Sequence, residues 1–239
     1  MANLASARWP DLGPSDVVLI PLGSTEQHGP HLPFSTDTVI ADAVAQSVAE
    51  ALTAGGVRTT VAPALAVGAS GEHQSFAGTI SMGHEALGLV VIEMARSVKT
   101  WAPRLVFVNG HGGNVPALRA ACDQLRAEDH EVVWVACGVP GQDAHAGREE
   151  TSLMLLLEPH NVRMHLAVTG AQEPLRDLMP VLVEGGVQAV SNSGVLGNPI
   201  GATAQEGNDL MHRISGEIVA QVFATWPQID PRHGVRGQD

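Results

Sequence analysis

The chain has 239 residues, 44% of them hydrophobic, which suits one large α/β domain and supplies enough apolar material for a core. Its 25 acidic residues outnumber 13 basic ones, and the net charge of −12 argues against a nucleic-acid or anionic-membrane partner, since both need a positive footprint. Tyrosine is absent and aromatics total 3%, so stacking platforms for bases or sugars are scarce.

Two cysteines, Cys122 and Cys137, form neither a disulfide framework nor a CxxC pair, which points to a reducing compartment. The opening MANLASARWPDLG lacks a basic region followed by an apolar stretch, and no window reaches the about 18 apolar residues of a membrane span. The expected location is the cytoplasm.

In chain order, short β-rich runs alternate with longer Ala/Leu/Val helical patterns, the signature of βαβ units. VVLIPL (17–22), VRTTVAPAL (57–65), RLVFVN (104–109) and EVVWVA (131–136) read as strands buried on both faces. Helical patterns cover 37–54, 84–100, 115–128, 150–157, 174–184 and 206–225. No repeat or linker interrupts them, so 1–239 reads as a single domain. Its core spans about 15–226, with loose ends over the first ten or so residues and the tail PRHGVRGQD. In such sheets chemistry gathers where strand ends lead into helices. The four segments there, GSTEQHGPHLPFSTDT, AVGASGEHQSFAGT, NGHGGN and CGVPGQDAHAGREETS, are all rich in glycine and polar side chains.

In the first segment, Glu26 and His28 are two apart, and in extended backbone residues i and i+2 project to the same side. A carboxylate and an imidazole can then converge on one ion, with Pro30 and Pro33 stiffening the loop. Asp37 follows at the start of a helix, where on position alone it is equally a first-turn acid. His31 reads as a structural histidine or one that supports the ligands from behind. In the third segment His111 is wrapped in glycines between a strand and a helix. A phosphate loop is the competing reading, but GxGxxG spacing and a GK[ST] ending are both missing.

The fourth segment sets His145 five residues before Glu150, which opens a helix. Arg148 and Glu149 read as a solvated pair. Of the other histidines (His73, His84, His130, His160, His165, His212 and His233) His73 alone lies at a strand end facing the cleft. Ser70, Glu72 and His73 are therefore candidate substrate contacts, with closing a turn as the competing reading. With no GxSxG elbow and no ligand-rich cysteine, nucleophilic serine or cysteine catalysis is not expected. Together Glu26, His28, Asp37, His111 and Glu150 make a nitrogen and oxygen donor set without thiolate, which suits zinc, manganese, iron or cobalt. Five donors, three of them carboxylates able to bridge, exceed the need of one tetrahedral ion and suggest a pair of ions.

These four segments, in this order and spacing, resemble the creatininase family of metal-dependent amidohydrolases, over a span from about Val17 to beyond Gly207. The resemblance implies a three-layer αβα fold with a mainly parallel central sheet and a homo-oligomer, commonly a hexamer. It also implies two divalent ions per subunit, zinc or iron first and manganese next. By it Asp37 bridges the ions, Glu26 and His111 serve one, His28 serves the other and Glu150 completes the set, while His145 falls at the proton-shuttling histidine. His145 and Glu150 are thus the expected catalytic residues.

Three departures stand out. Gly113 occupies a position where the creatinine-cyclising enzyme carries a carboxylate, which argues against creatinine as substrate. FAGT, with Ala77, replaces FPGT, and Arg148 stands where many relatives have Glu. The segments AHAGREETSLML and AVSNSGVLGNPIGATAQEG are most similar to those of a peptide-maturing member of the family. That likeness implies as substrate a small modified ribosomal precursor peptide, cut to release a C-terminal Val-Tyr-derived dipeptide. The alternatives are an amidohydrolase of a cyclic amide or formamide, and a non-catalytic binding module.

Overall fold

The computed structural model describes residues 1–232; the tail from His233 onward lies outside the described residues, and with it most of the end expected to be loose. Five parallel strands form one sheet: β1 (Ala2–Asn3), β2 (Val17–Leu22), β3 (Thr59–Val61), β4 (Arg104–Asn109) and β5 (Glu131–Ala136), in the order β1-β3-β2-β4-β5. The six longer helices are α1 (Thr36–Ala54), α2 (Gly83–Lys99), α3 (Val115–Ala127), α4 (Arg148–Leu157), α5 (Leu175–Val190) and α6 (Ala204–Thr225).

Alternation along the strands divides the core into two layers. Val17, Leu19, Val106 and Val108 join the cluster holding Ile40, Val44, Val48 and Leu52 of α1, Leu153 of α4 and Ile214, Ile218 and Val222 of α6. Val18, Ile20, Leu22, Leu105 and Phe107 face the other way, onto Leu87 and Val91 of α2 and Leu118 and Leu125 of α3. Every residue of β2 is buried, as a central parallel strand covered by helices on both faces requires. The fold is the expected three-layer αβα arrangement with a parallel sheet.

The β2, β4 and β5 bounds coincide with the sequence reading. The second expected strand, 57–65, pairs only over Thr59–Val61, because Pro63 has no N–H for the ladder, although Leu65 N still reaches Pro21 O at 2.9 Å. The first residues also differ from expectation: Ala2–Asn3 pair with Thr60–Val61 as an edge strand, a contact made through backbone that no side-chain pattern signals. Helix α5 runs six residues past its expected end at Glu184, through a break at Gly186, where φ is 69°. Helix α6 opens on Thr203, whose Oγ1 accepts from Glu206 N at 3.2 Å, the capping pair that the TAQE spacing encodes. None of the described helices is long and apolar enough to cross a membrane.

Candidate metal centre

The carboxyl ends of β2, β4 and β5 deliver side chains to one rim of the sheet, and helix α1 starts there. Gly110, just past β4, lets two backbones close: a Cβ on it would stand 2.5 Å from the carbonyl oxygen of Asp37. Without that close approach the β4 loop could not carry His111 up against the first turn of α1.

The five expected donors converge. His28 Nε2 lies 2.9 Å from Asp37 Oδ1 and 3.8 Å from Glu150 Oε2. His111 Nδ1 lies 3.1 Å from Glu26 Oε1 and 3.4 Å from Asp37 Oδ2. Donor atoms of Glu26, Asp37 and His111 all fall within 4.8 Å of one another, and so do those of His28, Asp37 and Glu150. The two sets share Asp37, one oxygen facing each way. A third grouping within the same limit joins Glu26, His28 and His145.

The donor chemistry fits divalent cations. Glu26 is wholly buried, yet neither of its carboxylate oxygens accepts a hydrogen bond. The imidazole nitrogens of His111, His73 and His145 stand 3.1, 3.3 and 3.7 Å from its Oε1 without aligning as donors. A buried carboxylate left so costs several kcal/mol unless a positive charge meets it. The field of the acidic side chains shows in their neighbours. Burial works to lower the His28 pKa, but Asp37, Glu150 and Glu26 outweigh it and carry it up to about 10. His111 is likewise raised against its burial, chiefly by Glu26. Burial lifts the Glu150 carboxyl to about 7 despite the opposing pull of His28. For Asp37, burial pushes upward, and the His28 and His111 charges still hold the carboxyl below the ordinary range.

A family model described as creatinine amidohydrolase matches residues 5–222. The chain belongs to the creatininase family. A mycofactocin precursor peptide peptidase of Mycobacterium tuberculosis is 50% identical to it over 235 residues, covering 96% of this chain and 93% of that protein. Two solved creatininases share the fold. One, a variant of the Zn–Zn type, is 25% identical with a TM-score of 0.76, covering 94% of this chain and 98% of its own. The other, a manganese creatininase, is 26% identical with a TM-score of 0.76, covering 95% and 99%. As a member of the metal-dependent creatininase family, the chain is a hydrolase acting on amide bonds.

Around this creatininase-family centre lies a shell that sequence reasoning passed over. Gln27, between the two donors of the ExH pair, points its amide nitrogen at His73 Nδ1 (2.9 Å) and Gly194 O (3.1 Å), while its backbone oxygen lies 2.7 Å from His145 Nε2. The Gln27 amide nitrogen also lies 3.1 Å from His145 Nε2, but its two protons go to His73 Nδ1 and Gly194 O, so His145 carries its own proton on Nε2 toward Gln27 O and its Nδ1 lone pair faces Glu26. Burial, with the neighbouring His28 and His73, holds the His145 pKa well below the ordinary value and keeps the ring neutral. Asn114 donates through Nδ2 to Gly23 O and Asn109 Oδ1 at 3.0 Å each, and accepts from Ala69 N at 2.8 Å, tying three loops together. Both asparagines bound NGHGGN in plain view, yet two of the partners of Asn114, Gly23 and Ala69, lie on other loops. Ser24 Oγ donates to Asp37 Oδ2 at 2.7 Å.

The three candidate substrate contacts take different places. Ser70 is fully buried. His73 is buried against Glu26 and Gln27. Glu72 is partly exposed and lies 3.4 Å from His111 Nε2. Arg148, expected to pair with Glu149, instead binds Glu206 on α6 at 2.8 Å. His31 holds Thr151 Oγ1 at 3.0 Å, the structural role expected of it.

Proposed function

We propose that this creatininase-family chain is a dinuclear-metal peptidase that matures the mycofactocin precursor peptide, releasing a C-terminal Val-Tyr-derived dipeptide from its modified form. The observation that carries the reading is the division of Asp37, with Oδ1 toward His28 and Oδ2 toward His111. Glu26 and His111 would hold one ion and His28 and Glu150 the other, with Asp37 contributing to both. Zinc or iron suits this nitrogen and oxygen set best, with manganese next. Ions bound there would supply Lewis acidity, the chemistry that lets water become nucleophilic near neutral pH and polarises an amide carbonyl.

The chain's own groups manage position and protons. His145, neutral and fixed by Gln27 O, accepts a proton at Nδ1 and returns it to the departing amine, which otherwise leaves poorly. Glu150, its Oε2 anchored by Ala146 N at 2.6 Å, keeps a carboxylate beside His28 and serves both as ligand and in catalysis. The likeness to the mycobacterial peptidase over 96% of the chain supports the peptide substrate. The protein works in the cytoplasm as a homo-oligomer, a hexamer by family resemblance, with the whole chain forming one catalytic domain.

The test is incubation of metal-loaded protein with the modified precursor peptide, followed by mass spectrometry. Dipeptide release is expected, with creatinine left unchanged. Intact peptide after prolonged incubation with fully loaded protein refutes the assignment.

A further inference from the structure

Position 113 has no side chain, and its space is taken. A Cβ there would stand 2.4 Å from each of three atoms: Ala69 O, Glu72 Oε1 and His111 Nε2. The same three atoms make one contact set, with His111 Nε2 at 3.1 Å from Ala69 O and 3.4 Å from Glu72 Oε1. Glu72 is held from behind as well. The break in α5 brings Gly186 against its backbone, where a Cβ would stand 2.7 Å from Glu72 O.

We propose that Glu72 is a positioning residue for the metal centre: with Ala69 O it takes the Nε2 proton of His111, so that Nδ1 presents its lone pair to the ion between Glu26 and Asp37. A carboxylate on the outer nitrogen of a ligating histidine fixes its tautomer and ring orientation and makes it a stronger ligand. Here that carboxylate arrives from the turn after β3, and Gly113 is the condition for its arrival. Glu72 therefore acts through His111, not on substrate. This inference rests on the two-ion reading above.

Chelator competition on the full-length protein, titrated with zinc alone, separates the two. Wild type is expected to bind two ions. Glu72→Leu should weaken one of them by about 10–100-fold and leave the other close to wild type, because only His111 loses its carboxylate and keeps Ala69 O alone. Glu72→Gln keeps an accepting oxygen and should lose less than about tenfold. In zinc-loaded protein labelled with nitrogen-15 histidine, the Nε2 proton of His111 should exchange with water faster in Glu72→Leu than in wild type. Should Glu72→Leu fail to fold, Glu72→Gln decides by the same proton, whose chemical shift should move when a neutral amide oxygen replaces the carboxylate, and an unshifted signal overturns the proposal. Wild-type affinities for both ions in Glu72→Leu, or equal weakening of both, also overturn it. A wild type that binds a single ion sinks the two-ion reading instead; Glu72 is then judged on that ion, and unchanged affinity overturns its role.

Discussion

His111 Nδ1 stands 3.4 Å from Asp37 Oδ2, bringing the end of β4 into contact with the first turn of α1 across the loop that follows β2. No other carboxylate is shared by both donor sets, since Asp37 alone belongs to the groups containing His111 and His28–Glu150 among the described residues. Asp37→Ala should therefore abolish binding at both positions, where an ordinary single-site ligand would empty one. Metal analysis after gentle purification checks this, and retention of one full equivalent contradicts it.

His111 and His145 should separate metal binding from turnover. His111→Ala removes a donor and is expected to strip metal. His145→Ala keeps the metal content and loses turnover by about 10²–10⁴-fold, the scale of one proton-transfer group. Equal metal loss in the two variants would show the roles to be misassigned.

Gln27→Ala removes the amide that anchors His73, spans to Gly194 and packs 3.1 Å from His145 Nε2, but leaves the backbone oxygen that accepts the His145 proton. Its kcat should fall by less than that of His145→Ala, with metal content near wild type. A drop as deep as that of His145→Ala would assign the amide a direct part in the chemistry.

Metal affinity should rise with pH. His28 and His111 have raised pKa values without ions, so each must give up a proton to become a ligand. Protons and ions compete for the same lone pairs, and every proton released weakens apparent affinity by about tenfold for each pH unit lost. The direction is unambiguous: affinity, and activity with it, falls as pH drops from 8 toward 5. Zinc titrations at several pH values read the slope, and a flat profile contradicts the ligand assignment.

Stability should follow burial, independently of the site. Phe107, fully buried in the layer under α2 and α3, is expected to cost about 3–5 kcal/mol as Phe107→Ala. Trp9 is 89% exposed, and Trp9→Ala should change stability by less than about 0.5 kcal/mol. Denaturant unfolding compares the two.

The strands VVLIPL, RLVFVN and EVVWVA, the helices between them and the convergence of Glu26, His28, Asp37, His111 and Glu150 at one rim of the sheet were all legible in the sequence. Strand and helix periodicities are local, and donor residues at strand ends announce themselves by type and spacing. What stayed hidden was contact between loops. Nothing in the order of residues says that Gln27 O faces His145, that Asn114 ties Gly23 to Ala69, or that Glu72 fills the space left by Gly113. The burial of Ser70, and of His73 against Glu26 and Gln27, is hidden for the same reason. Sequence determined which side chains are available and on which rim of the sheet they emerge. Tertiary structure alone decided which atom of each meets which neighbour, because hydrogen bonds and metal donor sets act over a few ångströms between segments that only the packed sheet brings together.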